Sequence, residues 1–255
     1  MRLLVTDFDG TLVLDDRRPA LPAAFLAFLA SFVAGGGRWV IATGRDLGDT
    51  EPLLPALGVP VRPDALIVND GAIHVDRGDT REWDAWNDAR RARRARLFSR
   101  FEGRLNAFLD ECLARGAGVW RPVDAPWGLE APPAVLERCA ERFASAFADT
   151  PALCLAGNGC WAAPAPRGDD KGAAVRALAS RWGILPADTT VAGDDLNDLP
   201  MMHPRVARHW IAPANAVERV RKHVAGRGVV ARLDGAEGVL SALTCSGRPP
   251  GWAHI

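Results

Sequence analysis

A short apolar run near the start of the chain ends abruptly in carboxylates and a glycine. Residues 2–6 read Arg-Leu-Leu-Val-Thr, the pattern of a buried strand, and Asp7, Asp9 and Gly10 follow directly. Because side chains alternate along a strand, Asp7 and Asp9 are expected on the same side if extended geometry continues. Two neighbouring carboxylates repel each other when both are ionised, and a bound cation or a shared proton relieves that repulsion.

Carboxylate oxygens suit Mg²⁺, which also takes phosphate oxygens as ligands. One carboxylate held by the metal could attack phosphorus, while the other handles the proton of the leaving group. The alternative is a strand followed by a simple Asp-Gly turn. The residues further along the chain bear on this choice.

Residues 7–12, Asp-Phe-Asp-Gly-Thr-Leu, resemble the nucleophile loop of phosphatases of the haloacid dehalogenase (HAD) superfamily. The resemblance implies that Asp7 accepts the phosphoryl group and that Asp9 is the general acid and base. It also implies that the Asp7 carboxylate and the backbone carbonyl of Asp9 hold Mg²⁺.

The composition is that of an ordinary globular protein. Of the 255 residues, 48% are hydrophobic and 24% are charged, and the net charge is zero, so nothing in the overall charge favours nucleic acid or an anionic membrane. No apolar run reaches the roughly 18 residues that span a bilayer. Charged residues at positions 2, 7 and 9 argue against a signal peptide. We therefore expect a cytoplasmic monomer or homodimer with no nucleic-acid or membrane partner.

The cysteines are odd in number and have no Cys-x-x-Cys spacing, which argues against a disulfide framework and against a zinc site. We expect them to be small buried hydrophobic residues. They are Cys112, Cys139, Cys154, Cys160 and Cys245.

A strand-helix-strand unit follows the first carboxylates. Apolar residues at helical spacing predict a helix over residues 22–33, and residues 38–42 form a second predicted strand, parallel to the first. Thr43 and Gly44 stand at its carboxyl end, where open parallel sheets bind ligands. A hydroxyl and backbone N–H groups suit a phosphate oxygen there, and a simple turn is the alternative. The HAD family has a Ser or Thr at this point, often within Thr-Gly-Arg, so the resemblance makes Thr43 and Gly44 phosphate-binding residues.

Two prolines within residues 46–57 predict a short or broken helix. Residues 65–69 form a third predicted strand, and Asp70 follows it. Asn69 or Asp70 could face the substrate, and a turn is the other interpretation. The segment resembles the point where HAD sugar phosphatases leave the core for their cap.

The character of the chain changes from about residue 77. The pattern predicts helices over residues 84–114 and 133–149, and strands over 119–130, 153–156 and 161–163. We expect this α+β insert to be a domain over residues 77–166, with a catalytic core over 1–76 and 167–255. Little more than one crossover helix fits between Thr11 and Thr43, and HAD members with this spacing carry a C2-type cap, as in the Cof-like, sucrose-phosphate and trehalose-phosphate phosphatases.

The insert contains a basic run, Arg-Arg-Ala-Arg-Arg-Ala-Arg, over residues 90–96. Such a run could bind nucleic acid. Nearby acidic residues and the absence of interleaved aromatic residues favour a solvated helix face instead. A third possibility is that some of these arginines face the cleft and meet an anionic substrate.

Lys171 opens a predicted helix over residues 171–182. A lysine at a helix N-terminus opposes the helix macrodipole, which is unfavourable for structure but suits a grip on an anion. The segment before it resembles the return from cap to core in C2-type HAD phosphatases, which makes Lys171 the phosphate-binding lysine. Only Lys171 and Lys222 among the 31 basic residues are lysine.

The next predicted strand, residues 190–192, runs into a group of acidic and amide residues that would repel strongly without a cation. The group resembles the fourth HAD motif. The resemblance implies that Asp194 ligates Mg²⁺ and that Asp198 supports or joins it. Asn197 is a candidate phosphate-binding residue, and Asp195 is a weaker candidate.

Residues 206–212 are a further predicted strand, and the asparagine after it, Asn215, is another candidate for phosphate contact. Residues 247–255 are expected to be a loose tail.

The expected fold is an α/β, Rossmann-like parallel sheet with helices on both faces and an inserted α+β cap. The expected function is Mg²⁺-dependent hydrolysis of a small-molecule phosphate ester, a sugar phosphate or a similar metabolite, through an aspartyl-phosphate. A phosphosugar mutase would use the same residues and return the phosphoryl group to the substrate. A nucleic-acid-binding protein that uses the basic run is the alternative from another class.

Overall fold

The computed structural model describes residues 1–14, 21–59, 61–75 and 80–244. The predicted domain boundary between residues 76 and 77, Cys245 and the predicted C-terminal tail lie outside these ranges. The chain divides into two compact units, which we describe separately. The first contains Met1–Trp83 and the chain from Asp170 onward, and the second contains Asp84–Asp169.

The strands of the described residues are β1 (Leu3–Thr6), β2 (Arg38–Ala42), β3 (Ala65–Val68), β4 (Ala72–Val75), β5 (Gly118–Trp120), β6 (Gly128–Glu130), β7 (Leu153–Gly157), β8 (Trp161–Pro166), β9 (Thr189–Ala192), β10 (His209–Ala212) and β11 (Val229–Val230). Seven strands of the first unit form one sheet in the order β11-β10-β9-β1-β2-β3-β4. Four strands of the second unit form another sheet in the order β5-β6-β8-β7.

The seven-stranded sheet is parallel except for its edge strand β4, which pairs antiparallel with β3. All four residues of β1 are buried, as expected for a strand covered on both faces. Its neighbours β2 and β9 run in the same direction, with Thr6 opposite Ile41 on one side and Ala192 on the other. The carboxyl ends of these three strands therefore meet at one edge of the sheet.

The helices are α1 (Ala23–Ala34), α2 (Leu47–Thr50), α3 (Arg81–Leu113), α4 (Pro133–Ala146), α5 (Lys171–Arg181), α6 (Glu218–Ala225) and α7 (Gly235–Thr244). The predicted broken helix is confirmed, because α2 gives way to two short 3₁₀ turns, Glu51–Leu53 and Pro55–Leu57. Each turn contains a proline, which cannot donate the hydrogen bond that an α-helix needs.

The core of the first unit lies between β1, β2 and the helix α1. Leu4, Phe25 and Trp39 are completely buried in it, and Phe8 is almost so. The indole Nε1 of Trp39 donates a hydrogen bond of 3.1 Å to the Thr6 hydroxyl, which satisfies the one polar atom of that ring inside the core.

The hairpin from β3 to β4 was not predicted, although the turn at Asn69 and Asp70 was considered. Both residues have positive φ values, 47° and 55°, in the left-handed region that asparagine and aspartate enter more easily than other residues. The turn reverses the chain and adds β4 to the edge of the sheet. The run Ala72–Val75 is too short to show a clear strand period in the sequence.

The second unit packs α3 and α4 against its antiparallel sheet. A cluster of aromatic rings forms the centre of its core. Phe108 is edge-on to Phe143 with 5.1 Å between the ring centroids, and Phe143 stacks on Phe147 with 4.3 Å between them. Helix α3 has a kink at Phe101, whose backbone angles are not helical. The predicted strand over residues 119–130 is two strands, β5 and β6, because prolines interrupt it.

The predicted burial of cysteines holds for Cys112 and Cys139, which are buried in this core. Cys154 is half-buried, and the prediction is wrong for Cys160, which is exposed. Its backbone N–H donates to the side chain of Asn158 in the turn between β7 and β8. A turn position at the surface explains the exposure.

The basic run is not a uniformly solvated face. Arg90 and Arg94, four residues apart and hence on one side of α3, are buried. Arg90 forms ion pairs of 2.6 Å with Asp124 and with Asp169, and Arg94 also pairs with Asp169. The interpretation as a solvated face is therefore wrong for these two arginines, whose burial is compensated by the two carboxylates.

The predicted α/β architecture, a mainly parallel core sheet and a separate α+β part, is confirmed by these two sheets. The domain limits given from the sequence stay a prediction.

Candidate active site

The carboxyl ends of three neighbouring strands carry the site. Asp7 directly follows β1, Thr43 directly follows β2, and Asp194 lies two residues beyond β9. The backbone N–H of Asp7 donates to the carbonyl of Ala192 at 2.9 Å, so the ladder between β1 and β9 continues one residue past the strand. This bond fixes Asp7 on the rigid sheet.

The chain turns sharply after Asp7. The backbone N–H groups of Leu12 and Val13 both donate to the carbonyl of Phe8. Gly10 has a φ of 80°, and a Cβ atom there would lie 2.1 Å from a carboxylate oxygen of Asp194. Glycine is therefore required twice over, by its backbone angle and by the approach of Asp194.

The Thr11 hydroxyl, which is completely buried, donates to Oδ1 of Asp194 at 2.7 Å. This bond holds the loop after β1 against the loop after β9. Both loops thus support Asp194 in one position.

Asp7, Asp194 and Asp198 form a carboxylate cluster, in which one oxygen of each lies within 4.8 Å of the others. Burial, and then the charges of Asp198 and Asp194, hold the pKa of Asp7 well above its usual range, although Lys171 opposes them. Burial and the charge of Asp198 raise the pKa of Asp194 to about 7. The raised pKa values reflect burial first, and then the repulsion expected of carboxylates crowded at a strand edge.

Lys171, the first residue of α5, is completely buried beside this cluster. Its Nζ donates hydrogen bonds of 2.6 Å to Oδ1 of Asp7 and 2.7 Å to Oδ1 of Asp198. Burial acts to lower the pKa of Lys171, but the charges of Asp198 and Asp7 raise it above its ordinary value. The ammonium group therefore stays charged.

The N-terminus of helix α5 is capped by Asp170. The side chain of Asp170 accepts a hydrogen bond of 2.9 Å from the backbone N–H of Ala173, which is the usual arrangement at a helix N-terminus. Gly172 follows Lys171, and a Cβ atom there would lie 2.2 Å from the carbonyl of Pro200. The close approach of α5 to this neighbouring segment brings Lys171 to Asp198.

The carboxylate cluster fits a divalent cation by its chemistry. All its donor atoms are carboxylate oxygens, the ligands that Mg²⁺ prefers, and three of them converge on one small region. These residues include the predicted metal ligands Asp7, Asp194 and Asp198.

Asp198 is the most constrained member of the cluster. Its Oδ2 accepts from the backbone N–H groups of Asp194, at 2.8 Å, and Asp195, at 3.1 Å. Its Oδ1 accepts from Lys171. The side chain of Asp195 turns to its own loop and accepts from the N–H of Leu196, so it caps the 3₁₀ turn Leu196–Asp198.

The Asp9 side chain does not join the carboxylate cluster. Strand β1 ends at Thr6, so the alternation expected for Asp7 and Asp9 does not apply, and the Asp9 side chain is 45% exposed whereas Asp7 is buried. Arg45 binds Asp9 through two hydrogen bonds, Nε to Oδ2 at 2.7 Å and Nη2 to Oδ1 at 2.6 Å. This forked pair orients the carboxylate that was predicted to be the acid and base.

Thr43 is buried at the end of β2, where its backbone N–H donates to the carbonyl of Ile67 at 2.7 Å. Its hydroxyl oxygen accepts a hydrogen bond of 3.1 Å from the backbone N–H of Arg45. Gly44 lies between these two residues in the turn. Thr43 and Gly44, two of the predicted phosphate-binding residues, therefore lie at the sheet edge that carries Asp7.

Asn197, also predicted to bind phosphate, donates from its side-chain amide to Oδ1 of Asp70 at 3.0 Å. Asn215 binds the loop after β1: its Nδ2 donates to the carbonyl of Gly10 at 2.7 Å, and its Oδ1 accepts from the N–H of Gly235 at 2.8 Å. In this structure both asparagines connect segments of the first unit.

Sequence reasoning missed two contributions to the site, the pairing of Arg45 with Asp9 and the link from Asp70 to Asn197. Arg45 had a signal, because it is part of the Thr-Gly-Arg segment. The link from Asp70 to Asn197 had no such signal in the sequence, because the two residues stand 127 positions apart.

In the part of the chain that the structure describes, no helix combines the length and the apolar character needed to cross a membrane.

Comparison with protein families matches residues 4–84 and 129–243 to a model described as haloacid dehalogenase-like hydrolase. A search of curated proteins found no match. Among solved structures, the sucrose-phosphatase of Synechocystis sp. PCC6803, solved with sucrose and phosphate, has a TM-score of 0.68 and 22% identity over 95% of this chain and 97% of its own.

A haloacid dehalogenase-like hydrolase from B. subtilis has a TM-score of 0.62 and 19% identity, with 94% of this chain and 98% of that chain covered. A sugar phosphatase of HAD subclass IIB has a TM-score of 0.58 and 18% identity, with 88% and 91% covered. At these identities the likeness to solved structures establishes a shared fold.

Proposed function

Because this chain belongs to the haloacid dehalogenase-like hydrolase family, we propose that it hydrolyses phosphomonoesters with Mg²⁺ through an aspartyl-phosphate on Asp7. The family predicted from the sequence is confirmed by the match. The observation that carries the proposal is the cluster of buried Asp7, half-buried Asp194 and buried Asp198, with the ammonium of Lys171 between two of its carboxylates.

In the first step, a carboxylate oxygen of Asp7 attacks phosphorus, and the bond from phosphorus to the leaving oxygen breaks. Asp9 gives its proton to that oxygen, and the alcohol departs. In the second step Asp9 accepts a proton from water, whose oxygen attacks phosphorus. The bond to Asp7 then breaks and inorganic phosphate is released.

The position of Asp7 supports its role as the nucleophile. The carboxylate lies at the end of a central strand, and a backbone hydrogen bond to Ala192 and the contact with Lys171 fix its orientation. Preorganisation of this kind leaves little reorientation for the moment of attack.

Lys171 and Thr43 are proposed to bind the phosphoryl oxygens, with Gly44 and Asn197 as further contacts. The ammonium contributes a compact charge that is completely buried. Asp7 and Asp194, together with the Asp9 carbonyl and Asp198, would hold Mg²⁺, which neutralises charge on the transferring phosphoryl group.

The exposure of Asp9 supports its assignment as acid and base. The forked pair with Arg45 orients the Asp9 carboxylate, whose side chain is 45% exposed and lies outside the carboxylate cluster. An exposed acid can reach both the leaving oxygen and water, which the buried cluster cannot do as readily.

The proposed substrate is a sugar phosphate or a similar small phosphate ester. Two structural neighbours are a sucrose-phosphatase and a sugar phosphatase. Their likeness in fold supports a sugar phosphate as the class of substrate without identifying the sugar. We propose the sequence-derived limits for the parts: a core over 1–76 and 167–255, and a cap over 77–166 that selects the leaving group. A cytoplasmic monomer or homodimer remains our proposal.

The basic run gives limited support to nucleic-acid binding. Two of its arginines, Arg90 and Arg94, are neutralised by Asp124 and Asp169 within the second unit. The charge available for phosphate contacts along a nucleic-acid strand is smaller than the sequence suggests.

The test is release of inorganic phosphate from a panel of sugar phosphates, phosphoglycerate derivatives and nucleotides, with Mg²⁺ and with a chelator. We expect release from at least one class, lost on chelation and in Asp7→Asn. An isomeric phosphate with little free phosphate would indicate a mutase instead. No release from any member of the panel would contradict the proposal.

A further inference from the structure

Asp70 links the parts of the site that the sequence motifs contribute separately. Its backbone N–H donates to the carbonyl of Thr43 at 3.1 Å. Its side-chain Oδ1 accepts from Nδ2 of Asn197 at 3.0 Å. One residue of the turn after β3 thus holds both the turn after β2 and the 3₁₀ turn Leu196–Asp198.

The 3₁₀ turn controls where Asp198 lies. Asn197 and Asp198 are adjacent in it, so the amide held by Asp70 fixes the peptide unit next to the carboxylate that binds Lys171. Asp70 therefore acts on Lys171 through a hydrogen-bonded link that runs by way of Asn197 and Asp198.

The backbone of this turn indicates that its conformation serves more than chain reversal. Asn69 and Asp70 are two consecutive residues with positive φ, and they are the only non-glycine residues in that region within the described part of the chain. A left-handed conformation is unfavourable for a non-glycine residue, though less so for asparagine and aspartate. Such strain is often retained at functional sites.

We infer that Asp70 is a positioning residue that holds Asp198 and Lys171 in place for phosphoryl transfer. The inference rests on the proposed function, because it assigns Asp70 a part in that reaction. Asp70 acts through Asn197, and no contact with the substrate is required of it.

Two variants separate the side chain from the backbone. Asp70→Gly keeps the left-handed conformation and removes the carboxylate. Asp70→Asn also tolerates that conformation and keeps an acceptor for Asn197, but it removes the charge. We expect Asp70→Gly to lower kcat and to weaken Mg²⁺ binding by about 10- to 100-fold, the usual effect of losing a group that orients metal ligands. Asp70→Asn should lower kcat and Mg²⁺ affinity by less than Asp70→Gly does. The KM of both variants should stay close to that of the wild type.

A reciprocal exchange tests the link itself. Asn197→Asp places two carboxylates in contact, so it should lower kcat and Mg²⁺ affinity. The double variant Asp70→Asn with Asn197→Asp restores a donor and an acceptor in reversed positions. We expect it to recover much of the lost Mg²⁺ affinity relative to Asn197→Asp alone, which independent residues would not do. This readout does not depend on the phosphate contact proposed for Asn197.

The matched control is Asp64→Asn. Asp64 is a half-buried carboxylate of the first unit that accepts a hydrogen bond of 3.0 Å from the backbone N–H of Trp39 and pairs with Arg38. It lies near the amino end of β2, away from the site. Its kcat and Mg²⁺ affinity should equal those of the wild type.

Mg²⁺ affinity from isothermal titration calorimetry and kcat per folded molecule, checked by circular dichroism, are the two measurements. Wild-type kcat and affinity in Asp70→Gly, or no recovery in the double variant, overturns the inference. A lower melting temperature alone makes Asp70 merely structural and also overturns it. If the wild type releases no phosphate, the proposed function fails, and the Mg²⁺ affinities still decide whether Asp70 positions the carboxylates. A wild type that binds no Mg²⁺ overturns both.

Discussion

Replacing Lys171 by arginine keeps the charge and should nevertheless remove most of the activity. The Lys171 side chain is completely buried, and its Nζ lies 2.6 Å from one carboxylate and 2.7 Å from another. A guanidinium is larger and planar, so it cannot take the place of a compact ammonium between Asp7 and Asp198 without moving them.

The expected magnitude follows from the two contacts. Loss of one preorganised electrostatic stabiliser costs about 10²–10³ in kcat, or about 2.7–4 kcal/mol. Crowding of the extra atoms into a filled site should lower the free energy of unfolding by about 1–3 kcal/mol. The fold should therefore persist while turnover falls.

The chain supplies its own control, because the second lysine is Lys222. Its side chain is 74% exposed and pairs with Glu218 one helical turn away. Lys222→Arg should have wild-type turnover and stability. Both variants are compared by phosphate release under saturating substrate and by thermal unfolding. Wild-type kcat in a folded Lys171→Arg protein would refute the reasoning and remove Lys171 from the phosphate site.

Three further predictions concern other groups. Asp7→Asn should abolish phosphate release without unfolding the protein, because an amide cannot attack phosphorus; residual turnover would point to another nucleophile. Asp9→Asn should lower kcat by about 10²–10⁴, and an unchanged rate in the same assay would reassign the acid and base. Burial of His209 lowers its pKa, so the unfolded chain takes up a proton before the folded one does as the pH falls. The free energy of unfolding should therefore decrease from about pH 7.5 to about pH 5.5, a range that contains the ordinary histidine pKa. Urea unfolding at the two pH values should show a smaller decrease for His209→Gln than for the wild type. An equal decrease in the variant would contradict this role of His209.

The parts of the fold that could be predicted are those that local patterns encode. The run over residues 2–6 is apolar enough to be a buried strand, and the structure has β1 at Leu3–Thr6. Helix α5 begins at Lys171 as predicted, because Asp170 is a good N-cap. The strand β4 was missed since four residues carry too little periodicity to distinguish strand from turn.

The candidate site was predictable as a set of residues and not as a set of contacts. The clustering of Asp7 with Asp194 was implied by the resemblance to the HAD motifs, and the shared edge of a parallel sheet accounts for it. The partners of Asn197 and Asn215 did not, because they stand 127 and 205 positions away and depend on the full tertiary structure. Asp9 illustrates the same limit, because the alternation of side chains along a strand does not extend to a residue three positions beyond the end of β1.

The charges of the site explain why a lysine and the proposed divalent cation would complement each other there. Three carboxylates and one ammonium leave an excess of two negative charges when all are ionised, within a region where the oxygens lie less than 4.8 Å apart. Burial and mutual repulsion raise the pKa of Asp7 and of Asp194, so the excess is unfavourable. A phosphate ester would add further negative charge to the same region. Lys171 neutralises part of that charge permanently, and a divalent cation bound by the carboxylates would supply the rest.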